Sequence, residues 1–323
     1  VQAGFGTIKI DGLMQNWLTW NSNNLAGDDR DGFKTRRIDV KLSGQINPKV
    51  NWAATFDFAK SLSLDTSGVT PKVKQETRPL QDLSLAYTLR PGLVLDIGQF
   101  KVPVGMEGLR SSSQLDMVER TLFTVRGNKE TNGAYGDFRE LGVVLRGTYD
   151  SGEYQIGIFN GDKQNAPDTN DQKAGVARVV YRPKATPGLS LGVSYFKGDT
   201  TADSLGLRRS GAELRYDQKD WFVASEAVSG TDGQAGGGNL DSSGWYVICG
   251  KRTDDKHQIL ARYDVWNAPA PSASNGGDEK DITLGWNWLM TGHNAKLQIN
   301  LVRKNFDLHD DQTMLLTNAQ VAF

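Results

Sequence analysis

The feature that most constrains the fold of this chain is a side-chain period of two that runs through almost its whole length. Segment 83–89 alternates leucine and tyrosine with polar or small residues, and the pattern returns in segments such as 189–195, 259–265 and 282–288. Alternation places apolar side chains on one face of a strand and polar ones on the other. About sixteen such segments of roughly ten residues are present, a length that suits a tilted membrane-crossing strand. The sequence therefore predicts an all-β protein.

The connectors between these segments alternate between short and long. Asn47-Pro48-Lys49 and Arg90-Pro91-Gly92 have the composition of tight hairpin turns. Such turns are interspersed with long polar loops at 21–32, 61–77, 102–133, 161–173, 198–205, 230–241 and 267–279. An outer-membrane barrel has short periplasmic turns and long outer loops. We therefore predict a transmembrane antiparallel β-barrel of about 16 strands, formed by one domain over residues 1–323.

The polar faces of the strands are expected to line a water-filled lumen, and the apolar faces to contact lipid. A soluble barrel with its polar face outward is the alternative, but sixteen strands enclose more space than side chains can fill. Tyr and Trp near strand ends suit girdles at the two membrane interfaces: Trp17, Trp20, Tyr149, Tyr181, Tyr195, Tyr216, Trp221 and Trp288. The expected charges of the pore wall are Asp96, Arg146, Arg178, Arg215 and Arg262.

Composition argues against several other classes of function. The 37 Lys and Arg residues are balanced by 38 Asp and Glu residues, so the surface lacks the positive excess that binds nucleic acid. Cys249 is the one cysteine, which excludes an intramolecular disulfide, and the three histidines have no metal-ligand spacing. The sequence contains no run of 18 apolar residues, so it predicts no membrane-spanning helix. We predict no enzyme, no cofactor and no metal site.

One segment breaks the alternation. The stretch GMEGLRSSSQLDMVERTLF, residues 105–123, is polar and has no strand pattern, although alternating segments flank it on both sides. It belongs to the third long loop, 102–133. Backbone groups without sheet partners stay hydrated inside a water-filled pore. We therefore expect this loop to fold into the lumen and to form the constriction of the channel.

The same segment carries a family resemblance. The motifs Gly105-Met106-Glu107, Ser111-Ser112-Ser113 and Glu119-Arg120-Thr121-Leu122, which follow Ile97-Gly98-Gln99-Phe100, resemble the phosphate-selective porins of the O and P type. The strand FKTRRIDVKLSG, residues 33–44, resembles an early strand of that family that carries paired arginines. The resemblance implies a homotrimeric barrel in the bacterial outer membrane that passes anions along arginines and lysines.

The resemblance also implies roles for individual residues. Arg36 and Arg37 match the paired arginines that draw anions toward the constriction. Strand alternation allows only one of them to point fully inward, and we favour Arg37 because it shares its face with Asp39 and Lys41. The pair Glu119-Arg120 matches a Glu-Arg pair of the family's loop, which we interpret as an internal clamp that holds the loop's shape.

The sequence departs from the family at two positions. Two lysines that shape phosphate selectivity in the family correspond to Gly108 and Ser113 here. Lys101 and Arg110 are the cations near enough in sequence to replace that charge. Several carboxylates on the polar faces offset the inward cations nearly one for one: Asp39, Asp57, Asp82, Asp96, Glu140, Glu213 and Asp264.

We expect a porin for the passive diffusion of small hydrophilic solutes, with the anion or phosphate preference that the resemblance implies. Its other contacts are expected to be outer-membrane lipid and lipopolysaccharide. A second interpretation is a scaffold barrel that sheathes a lipoprotein or a multihaem cytochrome partner. The near balance of lumen charge and the missing family lysines are compatible with that interpretation.

Overall fold

The computed structural model describes residues 2–3, 6–23, 31–60, 63–65, 72–74, 79–168, 170–199, 205–270 and 276–323. Sixteen antiparallel strands form the wall of a closed barrel. In chain order they are β1 (Gly6–Asn21), β2 (Gly32–Asn47), β3 (Val50–Asp57), β4 (Leu80–Arg90), β5 (Leu93–Lys101), β6 (Arg139–Tyr149), β7 (Gly152–Phe159), β8 (Ala174–Tyr181), β9 (Leu189–Asp199), β10 (Gly206–Asp217), β11 (Trp221–Gly233), β12 (Asn239–Arg252), β13 (His257–Asn267), β14 (Glu279–His293), β15 (Ala295–Phe306) and β16 (Gln312–Ala322).

Each strand pairs with its neighbour in sequence, and the barrel closes where β16 pairs with β1. The closing register runs from Met314 opposite Asn21 to Ala322 opposite Leu13. Closure gives both edges of the sheet a hydrogen-bonding partner, which a structure in hydrocarbon requires. The predicted sixteen-stranded barrel is confirmed.

The two faces of the wall have the reverse polarity of a soluble protein. Leu85, Val193 and Leu284 point outward and are 50%, 59% and 57% exposed, whereas the inward Asn287 and Gln298 are 0% and 1% exposed. A continuous apolar belt is stable only against lipid. No helix among the described residues is long and apolar enough to cross a membrane.

Most of the predicted girdle aromatics lie on the outer face, but the assignment of Trp17 was wrong. Trp17 is 3% exposed and shares its parity with the inward residue Gln15. The cationic groups of Lys34 and Arg36 each lie 5.1 Å from the centroid of its ring. The predicted girdle residues that are exposed are Trp20, Tyr149, Tyr181, Tyr195, Trp221 and Trp288.

Two predicted loop boundaries change. The loop predicted at 230–241 shrinks to 234–238, because β11 and β12 pair as far as Gly233 opposite Asn239. These polar strand ends resemble loop sequence. The third loop runs over 102–138, beyond the predicted 102–133, because positive φ angles at Ala134 and Asp137 prevent an earlier strand start. Parts of the loops predicted at 21–32, 61–77, 161–173, 198–205 and 267–279 lie outside the described residues.

The short segments outside the wall are few among the described residues. The third loop contains α1 (Met106–Leu109), a 3₁₀ turn (Ser112–Gln114), a π turn (Phe123–Gly127) and α2 (Asn128–Glu130). A 3₁₀ turn at Phe58–Lys60 follows β3, and a small two-stranded sheet joins Ser63–Asp65 to Lys72–Lys74. Gln2–Ala3 pairs with the start of β1.

Candidate functional site in the barrel lumen

The third loop lies inside the barrel and is hydrogen-bonded to inward side chains of the wall. The backbone N–H of Val118 donates to Asn300 Oδ1 at 2.8 Å, and Lys296 Nζ donates to the carbonyl oxygen of Leu115 at 2.8 Å. Since loop groups without ladder partners must find others, the polar inner face of β13–β15 supplies them. The wall therefore positions the loop.

An apolar cluster inside the lumen reinforces this attachment. Phe123 of the loop is 0% exposed and stacks on Tyr246 with ring centroids 6.0 Å apart. The wall contributes buried apolar residues to the same cluster: Phe222, Ile248, Leu260 and Trp266. Apolar residues on an inward face are stable here because the loop covers them. The loop thus occupies the side of the lumen next to β11–β13.

Arg120 ties the two ends of the loop together. Its guanidinium donates to the carbonyl oxygens of Glu107 and Arg110 and, from Nε at 2.8 Å, to the Asp137 carboxylate. Lys101 Nζ forms a second ion pair with Asp137 at 2.8 Å. Burial raises the pKa of Asp137, but the attraction of Lys101 and Arg120 outweighs it, so the pKa lies well below its usual value.

The paired arginines of β2 lie at a β-bulge. Gln15 of β1 pairs with Arg37 and the next residue, Asn16, pairs with Thr35, so Arg36 has no partner opposite it. A bulge adds one residue to a strand and resets which side chains face inward. The prediction that only one arginine can point inward was therefore wrong, because both face the lumen.

The two arginines contact the loop in different ways. Arg36 lies 3.7 Å from the Glu119 carboxylate, while Arg37 is 6% exposed and donates to Gln15 Oε1 at 2.8 Å. Gln15 in turn donates to the carbonyl oxygen of Ser112 at 3.2 Å. Burial raises the pKa of Glu119, but the attraction of Arg36 and Arg37 lowers it by a larger amount, so the pKa lies below its usual value.

Three cavities follow one another along the part of the lumen that the loop leaves open. The inner cavity, about 780 Å³, lies between the loop and β1–β6, with Lys41 and Lys101 in its lining. The mouth cavity, about 440 Å³, shares Lys9 with it and includes Asp96 and Arg146. The outer cavity, about 300 Å³, shares Arg139 with the inner one. This row of cavities is the candidate solute path.

Arg139 marks the junction of the outer and inner cavities. Its Nε donates to Asp82 Oδ1 at 2.8 Å, and it lies opposite Lys101 in the ladder between β5 and β6. Sequence analysis missed this residue because the loop was expected to end at 133. The Gly- and Asp-containing stretch at 133–137 is the signal that would have extended the loop to Arg139.

Arg110 and Arg215 lie in a different part of the lumen from the paired arginines. Arg110 Nη1 contacts Asp116 Oδ2 at 2.5 Å, and Arg215 Nη1 contacts the same atom at 3.3 Å. All three residues line a separate cavity of about 330 Å³ near the β10–β11 turn. Burial raises the pKa of Asp116, but Arg110 and Arg215 more than compensate, and the net pKa is lowered.

Two of the predicted wall charges, Arg262 and Arg178, form structural contacts and do not line the three cavities. Arg262 donates to the carbonyl oxygen of Glu119 at 3.0 Å and lies 3.4 Å from Asp264. Arg178 is 7% exposed and donates from Nε to Glu213 at 3.2 Å. Of the predicted pore wall charges, Asp96 and Arg146 line the mouth cavity as a pair.

A closed sixteen-stranded wall with lipid outside, polar lumen and an inserted third loop defines an outer-membrane porin channel. Sequence comparison gives the family: the model of the phosphate-selective porins O and P matches residues 9–218. The chain belongs to this family. Its location is the bacterial outer membrane. A comparison with curated protein sequences found no match.

Solved structures of outer-membrane proteins share the fold at low sequence identity. In-vitro folded OmpT of Vibrio cholerae is 11% identical, covers 100% of this chain and 99% of its own, and has a TM-score of 0.64. Its trimer form is 12% identical over 99% of this chain and 100% of its own, with a TM-score of 0.61. Salmonella typhi OmpF in complex with daunomycin is 14% identical over 98% and 97%, with a TM-score of 0.62.

Proposed function

We propose that this porin passes small hydrophilic solutes by passive diffusion and prefers anions. The observation that carries the proposal is the bulge in β2, which turns both Arg36 and Arg37 toward the lumen. Arg36 and Arg37 lie against the third loop, and Lys41, farther along the same strand, lines the inner cavity of the solute path. Charged rings in a pore select ions by the sign of the local potential.

Lys41 adds a cation without a direct partner to the inner cavity, which Asp39 also lines. Its side chain makes no hydrogen bond or ion pair with any described residue. The neighbouring Lys9 is paired with Asp11 at 2.6 Å, and Arg139 is paired with Asp82. A mobile anion is therefore the natural counterion of Lys41. The proposal covers anions as a class, since Gly108 and Ser113 replace the family's two lysines.

We propose a homotrimer, with the exposed apolar belt of each barrel against lipid, lipopolysaccharide or another protomer. One similar structure is a trimer form of Vibrio cholerae OmpT. We also propose that the protein is a channel without catalytic activity, in keeping with its family. The scaffold interpretation gains no support, because the family is one of porins and the third loop already fills part of the lumen.

Planar-bilayer recording in a KCl gradient tests the anion preference. The reversal potential of the unmodified porin should indicate that chloride is more permeant than potassium. Replacing Arg36 and Lys41 together by Gln should lower the chloride-to-potassium permeability ratio by at least about fivefold, because the charge of Lys41 alone contributes roughly 1 kcal/mol to a nearby ion in water and that of Arg36 adds to it. Phosphate measured against chloride then tests whether selectivity extends beyond charge.

A matched control removes the same charge from the other side of the loop. Arg215→Gln with Lys219→Gln also deletes two cations, but both residues line the separate cavity. The control should leave the reversal potential nearly unchanged. An unmodified porin without anion preference, or equal shifts from the two double variants, would contradict the proposal.

A further inference from the structure

A second loop, besides the third, turns into the lumen. Residues 160–173 connect β7 to β8, and their first part is bonded to inward residues of β4–β6. The backbone N–H of Asn165 donates to Gln99 Oε1 at 2.7 Å, and Gln99 Nε2 donates back to Asn165 Oδ1 at 2.8 Å. The backbone N–H of Lys163 donates to Glu140 at 3.0 Å. These bonds fix the loop over the outer cavity.

The outer cavity has an apolar wall built around two phenylalanines. Phe138 and Phe196 meet edge to face with ring centroids 5.5 Å apart, and Ala174 and Leu207 lie beside them. These residues belong to a buried apolar cluster on the inner face of β6–β10. A polar lumen has no structural need for an apolar surface in a water-filled space. Such a surface favours a solute with an apolar body.

Two cations of this cavity have donors to spare. Arg139 donates from Nε to Asp82, and its two terminal nitrogens make no hydrogen bond with described residues. The ammonium of Lys163 makes neither a hydrogen bond nor an ion pair with described residues, although Glu140 attracts it. A guanidinium with free terminal N–H groups suits bidentate binding of a carboxylate.

The carboxylates near this cavity are already satisfied or point away. Asp137 is paired with Lys101 and Arg120, and Glu140 accepts two backbone N–H groups of the covering loop. Asp199 also lines the cavity, but strand alternation puts its side chain on the face opposite to Phe196. Positive charge is therefore what the cavity offers to a solute.

We propose that the outer cavity is a binding site for small amphipathic carboxylates, with the carboxylate on Arg139 and Lys163 and the apolar body on Phe138 and Phe196. The cavity volume, about 300 Å³, is at the lower end for small-molecule sites. This site deepens the proposed anion preference and rests on the channel being open to anions. Binding at the junction residue Arg139 obstructs the path, so an occupied site lowers the chloride current.

Phenylacetate is the probe, added on the long-loop side of a bilayer while the chloride current is recorded. Acetate keeps the charge without the ring, and phenylacetamide keeps the ring without the charge. Phenylacetate should block at a concentration about tenfold lower than either, because each control loses one of two contributions. Equal block by phenylacetate and acetate would overturn the proposal.

Variants locate the block. Lys163→Gln should raise the half-blocking concentration about fivefold, in the range of an exposed charge interaction, and Phe138→Ala should raise it by roughly tenfold through lost apolar contact. Lys173→Gln, in the same loop but bonded to Asp168, should change nothing. If the Phe138→Ala variant fails to fold, Phe138→Leu retains most of the packing. Its half-blocking concentration should lie between that of the unmodified porin and that expected for Phe138→Ala. Equal effects of Lys163→Gln and Lys173→Gln would overturn the site.

The outcome is separable from the proposed selectivity. The reversal potential in KCl without probe measures anion preference alone, and it is compared between the unmodified porin and the Arg36→Gln/Lys41→Gln variant, since neither residue lines the outer cavity. Block by phenylacetate in a porin without anion preference would support the site and refute the selectivity. Anion preference without block would do the opposite.

Discussion

The lumen wall consists of two regions that use the same residue types differently. On the covered region, from β9 through β16, charged and amide side chains are nearly fully buried and bond to the third loop, as Arg262 and Asn300 do. On the open region, from β2 to β6, charged side chains such as Lys41 and Arg146 line the cavities of the solute path. Inward polarity therefore serves attachment on one side and permeation on the other.

The difference is one of solvent access, and it decides what each charge contributes. Breaking a buried ion pair by removing one partner costs several kcal/mol in the free energy of unfolding, because the other charge stays buried and unpaired. A hydrated pair contributes little to stability but affects the electrostatic potential of the pore. Arg262 and Arg146 occupy equivalent positions in the strand alternation. Only the loop that covers Arg262 separates their functions.

The largest expected effect sets these two arginines against each other. Arg262→Gln removes a donor to the loop carbonyl of Glu119 and leaves Asp264, 0% exposed, without its cation. We expect a loss of about 3 kcal/mol in the free energy of unfolding, and larger current fluctuations as the loop loosens. Denaturant titration followed by circular dichroism, with single-channel recording, measures both.

Arg146→Gln is the matched control, since the Arg146 side chain is 47% exposed at the mouth cavity, where water reaches its pair with the less exposed Asp96. We expect a change below about 1 kcal/mol and no added current noise. Similar losses in the two variants would show that the covered and open regions do not differ in what their charges contribute to stability.

The fold was largely predictable from the sequence because one physical rule governs every strand. The alternation at segments such as 83–89 and 282–288 predicts strands, and the alternation of turns and loops predicts the barrel. The bulge at Arg36 was not predictable, because an inserted residue leaves no sign in a single strand's composition. It depends on the pairing with β1, which the sequence of β2 alone does not contain.

The candidate site was predictable in outline only. The break in alternation at 105–123 predicts the inserted loop, but the choice of wall that it covers depends on contacts far apart in sequence, such as Val118 with Asn300. For that reason Arg110 and Lys101 looked equivalent from sequence, although they line different cavities. The inward turn of loop 160–173 depends in the same way on Gln99.

A smaller effect sharpens the account of the open region. Ser113 lines the inner cavity beside Lys41, so Ser113→Lys would restore one family lysine in open space. We expect the chloride-to-potassium permeability ratio to rise by about twofold to fivefold, as one added charge gives. Reversal potentials measure the change, and phosphate competition tests whether phosphate gains more than chloride.

Gly108→Lys, at the other family position, should behave differently. A Cβ at Gly108 would lie 2.5 Å from Gly136 Cα and from the backbone nitrogen of Asp137. The neck of the loop, where its first part near Gly108 meets its last part at Gly136 and Asp137, therefore has no room for a side chain. We expect a loss of roughly 1–3 kcal/mol in the free energy of unfolding, as overpacking gives, with no clean gain in selectivity. Equal gains from the two lysines would contradict the geometry of the neck.

The smallest expected effect is the response of the loop to acid. Asp116, Glu119 and Asp137 all have pKa values lowered below the usual values by nearby cations, in spite of burial. A carboxyl group with a depressed folded-state pKa stabilises the fold above its unfolded pKa, and this contribution is lost as the pH falls through the folded-state value. Ordinary Asp and Glu titrate near pH 4. Between pH 8 and about 5, these three groups should therefore stay charged.

The comparison of the unmodified porin with Asp137→Asn isolates one of these groups, since the amide carries no charge at any pH. The difference in the free energy of unfolding between the two proteins should not shrink as the pH falls from 8 to about 5 and should shrink only below roughly pH 4. A difference that already shrinks near pH 6 would mean that Lys101 and Arg120 do not hold Asp137 ionised. The clamp at the neck of the loop would then depend on Arg120's bonds to backbone carbonyls alone.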